Sequence, residues 1–235
     1  LRYFISGGAA LNPEIARFFT SLGIGILQGY GQTEASPVIS VNRPGQVRME
    51  TVGPPLPGVE VKLGPENELL ARGDLVMQGY WNAPDETAKT IQDGWLHTGD
   101  LAAIDADGHI RIVGRVKDLI VNSGGENIAP APIEQDLVFH PDVEQAVLVG
   151  DGKPWLSALL VLTEAARESA RDQAETVREI LRATNAGKPA YLQVRKAIVL
   201  ETPCTMDNGL LTPTHKVKRQ RVIERHQQQI EDLYR

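Results

Sequence analysis

The sequence predicts a mixed α/β and α+β fold in two units, and three observations carry that reading. Strand-sized apolar runs, among them Val143–Val149 and Leu156–Leu162, alternate with helix-length segments that carry caps or a 3.6-residue apolar stripe. The stretch Val52–Ile120 is β-rich. After about Arg115 the pattern changes to strand, helix, strand, strand, helix, which puts a junction near Gly114–Asp118. A chain of 235 residues is long enough for one large domain or two modest ones with a real core.

The elements follow in order. Leu1–Ser6 reads as the middle of a buried strand leading into Gly7-Gly8. Asn12 is an N-cap, Pro13 the first helical residue and Glu14 a first-turn acid, so a helix starts there with Ile15, Phe18, Phe19 and Leu22 as its apolar face. Ile24–Leu27 reads as a short strand ending in the turn Gly29-Tyr30-Gly31. Val59, Val61 and Leu63 alternate with polar residues, as a half-buried strand does. Pro84 starts a short helix to about Ile91. Asp107-Gly108 is a hairpin turn between Leu101–Ile104 and His109–Val113. Val116–Val121 reads as a strand, Ile133–Phe139 as a helix, and Glu164–Ala183 as a helix with the stripe Ala166, Ala170, Ala174, Val177 and Leu181. Ala197–Leu200 is a further strand, and Val222, His226, Ile230 and Leu233 mark a terminal helix.

Composition narrows the classes. With 42% apolar and 23% charged residues the chain is an ordinary globular protein, not a disordered, collagenous or disulfide-stapled one. Lys and Arg number 24 against 30 Asp and Glu, a net charge of −6, which gives no support to bulk nucleic-acid binding. Cys204 is the sole cysteine, so an internal disulfide and a Cys-based zinc cluster are excluded. No run of about 18 apolar residues offers a membrane span. The balance fits a reducing cytosol, so a cytoplasmic location is expected, with peripheral membrane association and oligomeric state left open. The chain opens on Leu1-Arg2-Tyr3-Phe4-Ile5 without an initiator Met, which leads us to expect a fragment of a longer protein.

Four constellations could carry chemistry. Gly29-Tyr30-Gly31-Gln32-Thr33-Glu34 joins bare backbone, an aromatic, a hydroxyl and a carboxylate, a set suited to a base, a phosphate and a phosphate-bound Mg²⁺. A tight turn with a surface acid explains it as well. Gly94-Trp95-Leu96-His97-Thr98-Gly99-Asp100 ends in an Asp able to accept both ribose hydroxyls, or forms an Asx turn. His97 lacks the second His or Cys that a metal needs. Asp105-Ala106-Asp107-Gly108 has Val116 where an EF-hand has its twelfth-position acid. Gly114-Arg115-Val116-Lys117-Asp118 with Ser123-Gly124-Gly125-Glu126-Asn127 offers a guanidinium fork beside bare backbone, or a strand corner with solvated charges. Leu211–Arg219 concentrates Lys216, Lys218 and Arg219 on a turn before a helix, either for phosphate or as a solvated face. Nothing in the sequence supplies Cys204 with an activating His.

Taken in order, Ser6–Leu11, Tyr30–Glu34, Val76–Trp81, Trp95–Asp100, Gly114–Asp118, Ser123–Asn127 with Pro130, and Thr212–Arg219 resemble the adenylate-forming superfamily of acyl-CoA synthetases, luciferases and peptide-synthetase adenylation domains. The resemblance covers nearly the whole chain. It implies that residues 1–116 are the trailing part of the large ATP/AMP-binding domain, including a β-rich subdomain, and that 117–235 are the small mobile α+β C-terminal domain. Gly7, Gly8 and Ala9 would line the adenine pocket, and Tyr30 and Gly31 would lie against the nucleotide, with Tyr30 stacked on adenine. Thr33 would touch phosphate, Glu34 would hold Mg²⁺ through ATP phosphates, and Asp100 would bind the ribose with help from Arg115. Lys117 would be the hinge, Gly125 would flank the CoA tunnel, and Lys216 would be the catalytic lysine of adenylation.

The implied activity is ATP-dependent conversion of a carboxylic acid to its CoA thioester through an acyl-adenylate. Thr214-His215 stand before Lys216 where many relatives carry Ser-Gly, a version similar to the long-chain fatty acyl-CoA synthetases. Fatty acid, ATP and CoA are then the partners. The family's Ser/Thr/Gly-rich phosphate loop ending in Pro-Lys-Gly does not occur in the 235 residues, so this piece alone is expected to be inactive. Loading of a carrier-protein thiol, or a non-catalytic binding or assembly module, are the alternative readings.

Overall fold

Strand pairing and tertiary contacts part the chain into two units, Leu1–Lys117 and Asp118–Arg235. The computed structural model describes residues 2–8 and 11–235, so Leu1, Ala9 and Ala10 lie outside the described residues.

The first unit begins with β1 (Tyr3–Ser6), helix α1 (Pro13–Ser21) and β2 (Gly25–Tyr30). The two strands pair in parallel, Tyr3 opposite Gly25 and Ser6 opposite Gln28. The Asn12 side chain caps α1 by accepting from the Glu14 amide at 2.8 Å. Three expectations change here. β1 is not buried: Tyr3, Phe4 and Ile5 are exposed, because β1 is an edge strand bonded to β2 alone. On α1, Ala16 is the buried residue while Ile15, Phe18 and Leu22 face outward; Phe19 meets Phe4 edge-to-face at 6.0 Å. The strand expected to stop at Leu27 runs on to Tyr30, because Gly29 and Tyr30 pair with Val41 and Ser40 of β3 (Ser40–Val41).

The β-rich stretch is a five-stranded sheet. Its members are β4 (Glu60–Leu63), β5 (Glu68–Arg72), β6 (Ile91–Gln92), β7 (Trp95–Ile104) and β8 (Ile110–Arg115), with helix α2 (Pro84–Thr90) leading into β6. The Asp107-Gly108 turn joins β7 and β8, closed by the Gly108 amide on the Asp105 carbonyl at 3.0 Å. Trp95–Asp100, for which an Asx turn is one of the two sequence readings, belongs to β7, which pairs with β5 and β6 as well as β8. Two apolar clusters fill this unit, one around Ala35, Ile39, Ala71 and Leu96, the other around Val52, Leu69, Ala102 and Ile110; Tyr30 packs against both.

The second unit holds a short ribbon, β9 (Ile120–Val121) and β10 (Asn127–Ile128), then helix α3 (Pro130–Phe139), β11 (Val143–Val149) and β12 (Leu156–Leu162). Helices α4 (Glu164–Glu168) and α5 (Gln173–Asn185) lead to β13 (Val194–Val199), and helices α6 (Arg219–Arg225) and α7 (Gln227–Asp232) end the chain. β12 is central, antiparallel to β11 and parallel to β13. Leu148, Leu160 and Leu162 pack on one face with Ile133, Leu137 and Ile180, while Val147, Leu159 and Val161 pack on the other with Val222 and Ile230. Covering both faces buries all seven residues of β12, which is why six of them are apolar, with Ser157 as the one polar residue in the strand.

Four sequence readings are revised in this unit. Val116–Val121 is a 3-10 turn, Val116–Asp118, before β9. The single helix expected over Glu164–Ala183 is two, because Asp172 caps a new start by accepting from the Ala174 amide at 3.2 Å. Its buried line is therefore Thr176, Ile180 and Thr184, with Ala170 and Ala174 exposed. β13 begins at Val194, three residues early, and the terminal helix breaks at His226, whose φ of −108° and ψ of 18° are not helical. In urea unfolding, Leu160→Ala is expected to cost about 2–5 kcal/mol, and Val138→Ala, on an exposed face of α3, less than about 0.5 kcal/mol.

Candidate functional site

Within the first unit three predicted residues meet. Tyr30 ends β2, Asp100 lies in β7, and Arg115 stands directly across from it on β8. The Tyr30 hydroxyl donates to Asp100 Oδ2 at 2.6 Å, and Arg115 Nε donates to Asp100 Oδ1 at 2.8 Å. The Asp100 side chain is 12% exposed, and a carboxylate this far from water needs such donors. Each carboxylate oxygen has a second lone pair, so a diol can still be accepted. Burial first, and then the Asp100 charge, push the Tyr30 phenol far above its usual range.

Around this node the other candidates occupy loops. Gly7 and Gly8 follow the end of β1, beside the end of β2; this is the carboxyl side of a parallel strand pair, where α/β sheets hold ligands. Ala9 lies outside the described residues. Gly8 has φ +84°, a conformation that favours glycine. Gly31 is required by space: a Cβ there would sit 1.9 Å from the Pro37 carbonyl oxygen. Thr33 and Glu34 form the next turn, Thr33 exposed and Glu34 half-buried. Tyr80 donates to Glu34 Oε1 at 2.8 Å and the Met77 amide bonds the Glu34 carbonyl at 2.9 Å, so the Val76–Trp81 motif is tied to the Tyr30–Glu34 motif. His97 Nδ1 lies 2.8 Å from Glu68 Oε2.

Lys117 is the last residue of the first unit and lies in the 3-10 turn. In the second unit Gly125 has φ +82° in a turn whose Gly124 and Glu126 amides bond the Asn122 side chain at 2.9 and 3.0 Å. Lys216 is exposed on a different loop, clasped by the Thr212 amide on its carbonyl at 2.8 Å and by its own amide on Thr212 Oγ1 at 3.0 Å. His215 takes a positive φ of 58° there. Just beyond, Arg219 Nη2 donates to both Glu134 carboxylate oxygens at 2.6 Å and Nη1 to the Leu148 carbonyl at 2.8 Å, while Glu134 accepts the Leu148 amide. This pair is only 18% exposed on each side and pins the loop to β11. Glu134 escaped the sequence reading, and Arg219 was visible there only as one charge in a run. Cys204 is buried, which raises its thiol pKa and leaves it protonated.

The raised Tyr30 pKa has a pH consequence. The folded state keeps a proton that the unfolded chain loses near pH 10, so this stabilisation is full below about pH 10 and declines as pH rises further. Tyr30→Phe removes it, so the drop in unfolding midpoint between about pH 9 and 11 should be smaller in the variant than in the wild type. An equal drop in both would contradict the geometry.

Known proteins place this arrangement. Residues 1–81 match the AMP-binding enzyme family, and residues 117–235 match the AMP-binding enzyme C-terminal domain. The chain is 39% identical to the long-chain-fatty-acid–CoA ligase FadD15 of Mycobacterium bovis over 99% of its own length and 42% of the relative's. It is similar to the solved A domain of carboxylic acid reductase from Segniliparus rugosus, in complex with AMP and a co-purified carboxylic acid, at 26% identity and a TM-score of 0.81, covering 98% of this chain and 38% of that one. It is also similar to O-succinylbenzoate coenzyme A synthetase from Bacillus subtilis in complex with AMP, at 27% identity and a TM-score of 0.78, covering 94% of this chain and 45% of that one. The chain thus spans less than half the length of these proteins. With its matched segments in the family's order and its mixed α/β fold, the chain belongs to the AMP-binding enzyme family.

Proposed function

We propose that the protein bearing this chain activates a long-chain fatty acid with ATP and passes the acyl group to CoA. The observation that carries this reading is the Asp100 carboxylate held between Tyr30 and Arg115 at the carboxyl side of the β1–β2 pair, a buried acceptor of the kind a ribose diol needs. The likeness to FadD15 and the Thr212–Lys216 version of the lysine loop support the long-chain acid.

A carboxylate is a poor acyl donor because its leaving group would be oxide. In the first half-reaction a carboxylate oxygen attacks the α-phosphorus of ATP, the bond to the bridging oxygen breaks, and pyrophosphate leaves. In the second, the CoA sulfur attacks the acyl carbon, AMP departs with the C–O electrons, and the thiol proton passes to solvent. Gly7, Gly8 and Ala9 line the adenine side. The Tyr30 ring stacks on the base while its hydroxyl serves Asp100. Asp100 and Arg115 hold the ribose, Gly31 lets backbone approach the nucleotide, and Thr33 touches phosphate. Lys216 stabilises the charge that builds up in adenylation. Lys117 is the pivot of the small C-terminal domain between half-reactions, and Gly125 leaves room for the thiol arm of CoA.

The donor set fits magnesium in one way only. Glu34 offers one carboxylate, and no group of three His, Cys, Asp or Glu side chains converges among the described residues. That suits an ion held chiefly by phosphates and water. When bound, such an ion neutralises phosphate charge.

Lys216→Ala in the full-length protein should lower ATP–pyrophosphate exchange by roughly 10²–10³. It should leave thioester formation from supplied acyl-adenylate far less affected. Equal loss in both half-reactions would remove Lys216 from this role. AMP release that does not depend on CoA would point to another acceptor thiol.

A further inference from the structure

We propose that Glu68 is a positioning residue for Asp100, acting through a bulge in β7 that its carboxylate ties down. The inference rests on the ribose-binding role proposed for Asp100. On β5, Glu68 and Leu70 are two positions apart, yet their partners on β7, Leu101 and His97, are four apart. Thr98, Gly99 and Asp100 therefore face Leu69 alone. Extra residues of this kind interrupt the ladder and re-aim the side chains that follow.

Four polar groups of the bulge, the His97 ring, the Thr98 hydroxyl and the Gly99 and Asp100 amides, are claimed by β5 or by the bulge itself. Glu68 Oε1 accepts the Gly99 amide at 2.9 Å, and Glu68 Oε2 lies 2.8 Å from His97 Nδ1. The Thr98 hydroxyl donates to the Leu69 carbonyl at 2.7 Å and accepts the Asp100 amide at 3.2 Å. Gly99 takes φ +70°, which a residue with a Cβ adopts only under strain. The Glu68 side chain is 16% exposed, so its charge is spent on these bonds and not on solvent. One carboxylate thus fixes the two residues that flank Thr98, and with them the direction from which Asp100 meets Tyr30 and Arg115. No sequence motif singles out Glu68, and His97 stands there as a lone imidazole; the shared bulge is what joins them to the site.

The test compares ATP with 3′-deoxy-ATP in pyrophosphate exchange by the full-length protein, in wild type, Glu68→Ala and Glu68→Gln, with Asp100→Ala as reference. Wild type should favour ATP, since a site built for a hydroxyl rejects an analogue without it. Glu68→Ala should cut the kcat/KM ratio about tenfold, toward that of Asp100→Ala. Glu68→Gln, whose amide can bond both Gly99 and His97, should keep the ratio within about twofold. A general loss of stability would lower turnover of both nucleotides alike and leave the ratio unchanged. Amide hydrogen exchange over His97–Asp100, measured without nucleotide, should speed up in Glu68→Ala and not in Glu68→Gln. A wild-type ratio in Glu68→Ala, or unchanged exchange there, overturns the inference. A wild type that does not distinguish the two nucleotides overturns the role of Asp100 instead, and hydrogen exchange then still decides whether Glu68 holds the bulge.

Discussion

The Asp100 carboxylate is the interaction on which the first unit depends. It is buried, so it must be satisfied, and its two donors come from different parts of the unit. Tyr30 arrives from the parallel strand pair and Arg115 from the neighbouring strand of the large sheet. The Tyr30 ring packs against both apolar clusters while its hydroxyl reaches Asp100, so packing and polar satisfaction fix the same geometry. Removing either donor would strand a buried acceptor, at a cost of about 1–3 kcal/mol. A node of this kind holds its shape before any ligand arrives, which is what pre-organised recognition requires.

The second unit solves a different problem, that of holding one exposed lysine on a loop. Its three-stranded sheet is covered on both faces, which makes β11 and β12 a rigid base. Glu134 and Arg219 carry that rigidity outward, one from a helix over the sheet and the other from the segment after Lys216. The Thr212–Lys216 turn then closes on itself through one backbone bond and one to the Thr212 hydroxyl. The loop is exposed at its tip, and its base is fixed.

Much of this was legible in the residues. β11 and β12 were read with their full bounds because each carries a strand-length cluster of buried apolar residues, Ala146–Val149 in β11 and Ala158–Leu162 in β12. Asn12, Pro13, Pro84 and Asp107-Gly108 marked their turns and helix starts by local chemistry alone. What escaped was what depends on a partner distant in sequence. β2 extends to Tyr30 because β3 pairs there, and Trp95–Asp100 is strand and not turn because β5 and β6 flank it. The break at Asp172 was written in the sequence as an N-cap residue, but the alanine stripe read across it hid the signal. Tyr30, Asp100 and Arg115 could each be named from motifs, while their meeting could not. Glu68 and Glu134 carry no motif that singles them out; only pairing and register bring them to the site.

The most direct measurement of the central claim is calorimetric binding of AMP to the full-length protein and to its Asp100→Ala variant. The account expects the variant to bind AMP at least about tenfold more weakly, since a charge-assisted acceptor of the ribose is lost. Equal affinity in the two proteins would contradict it.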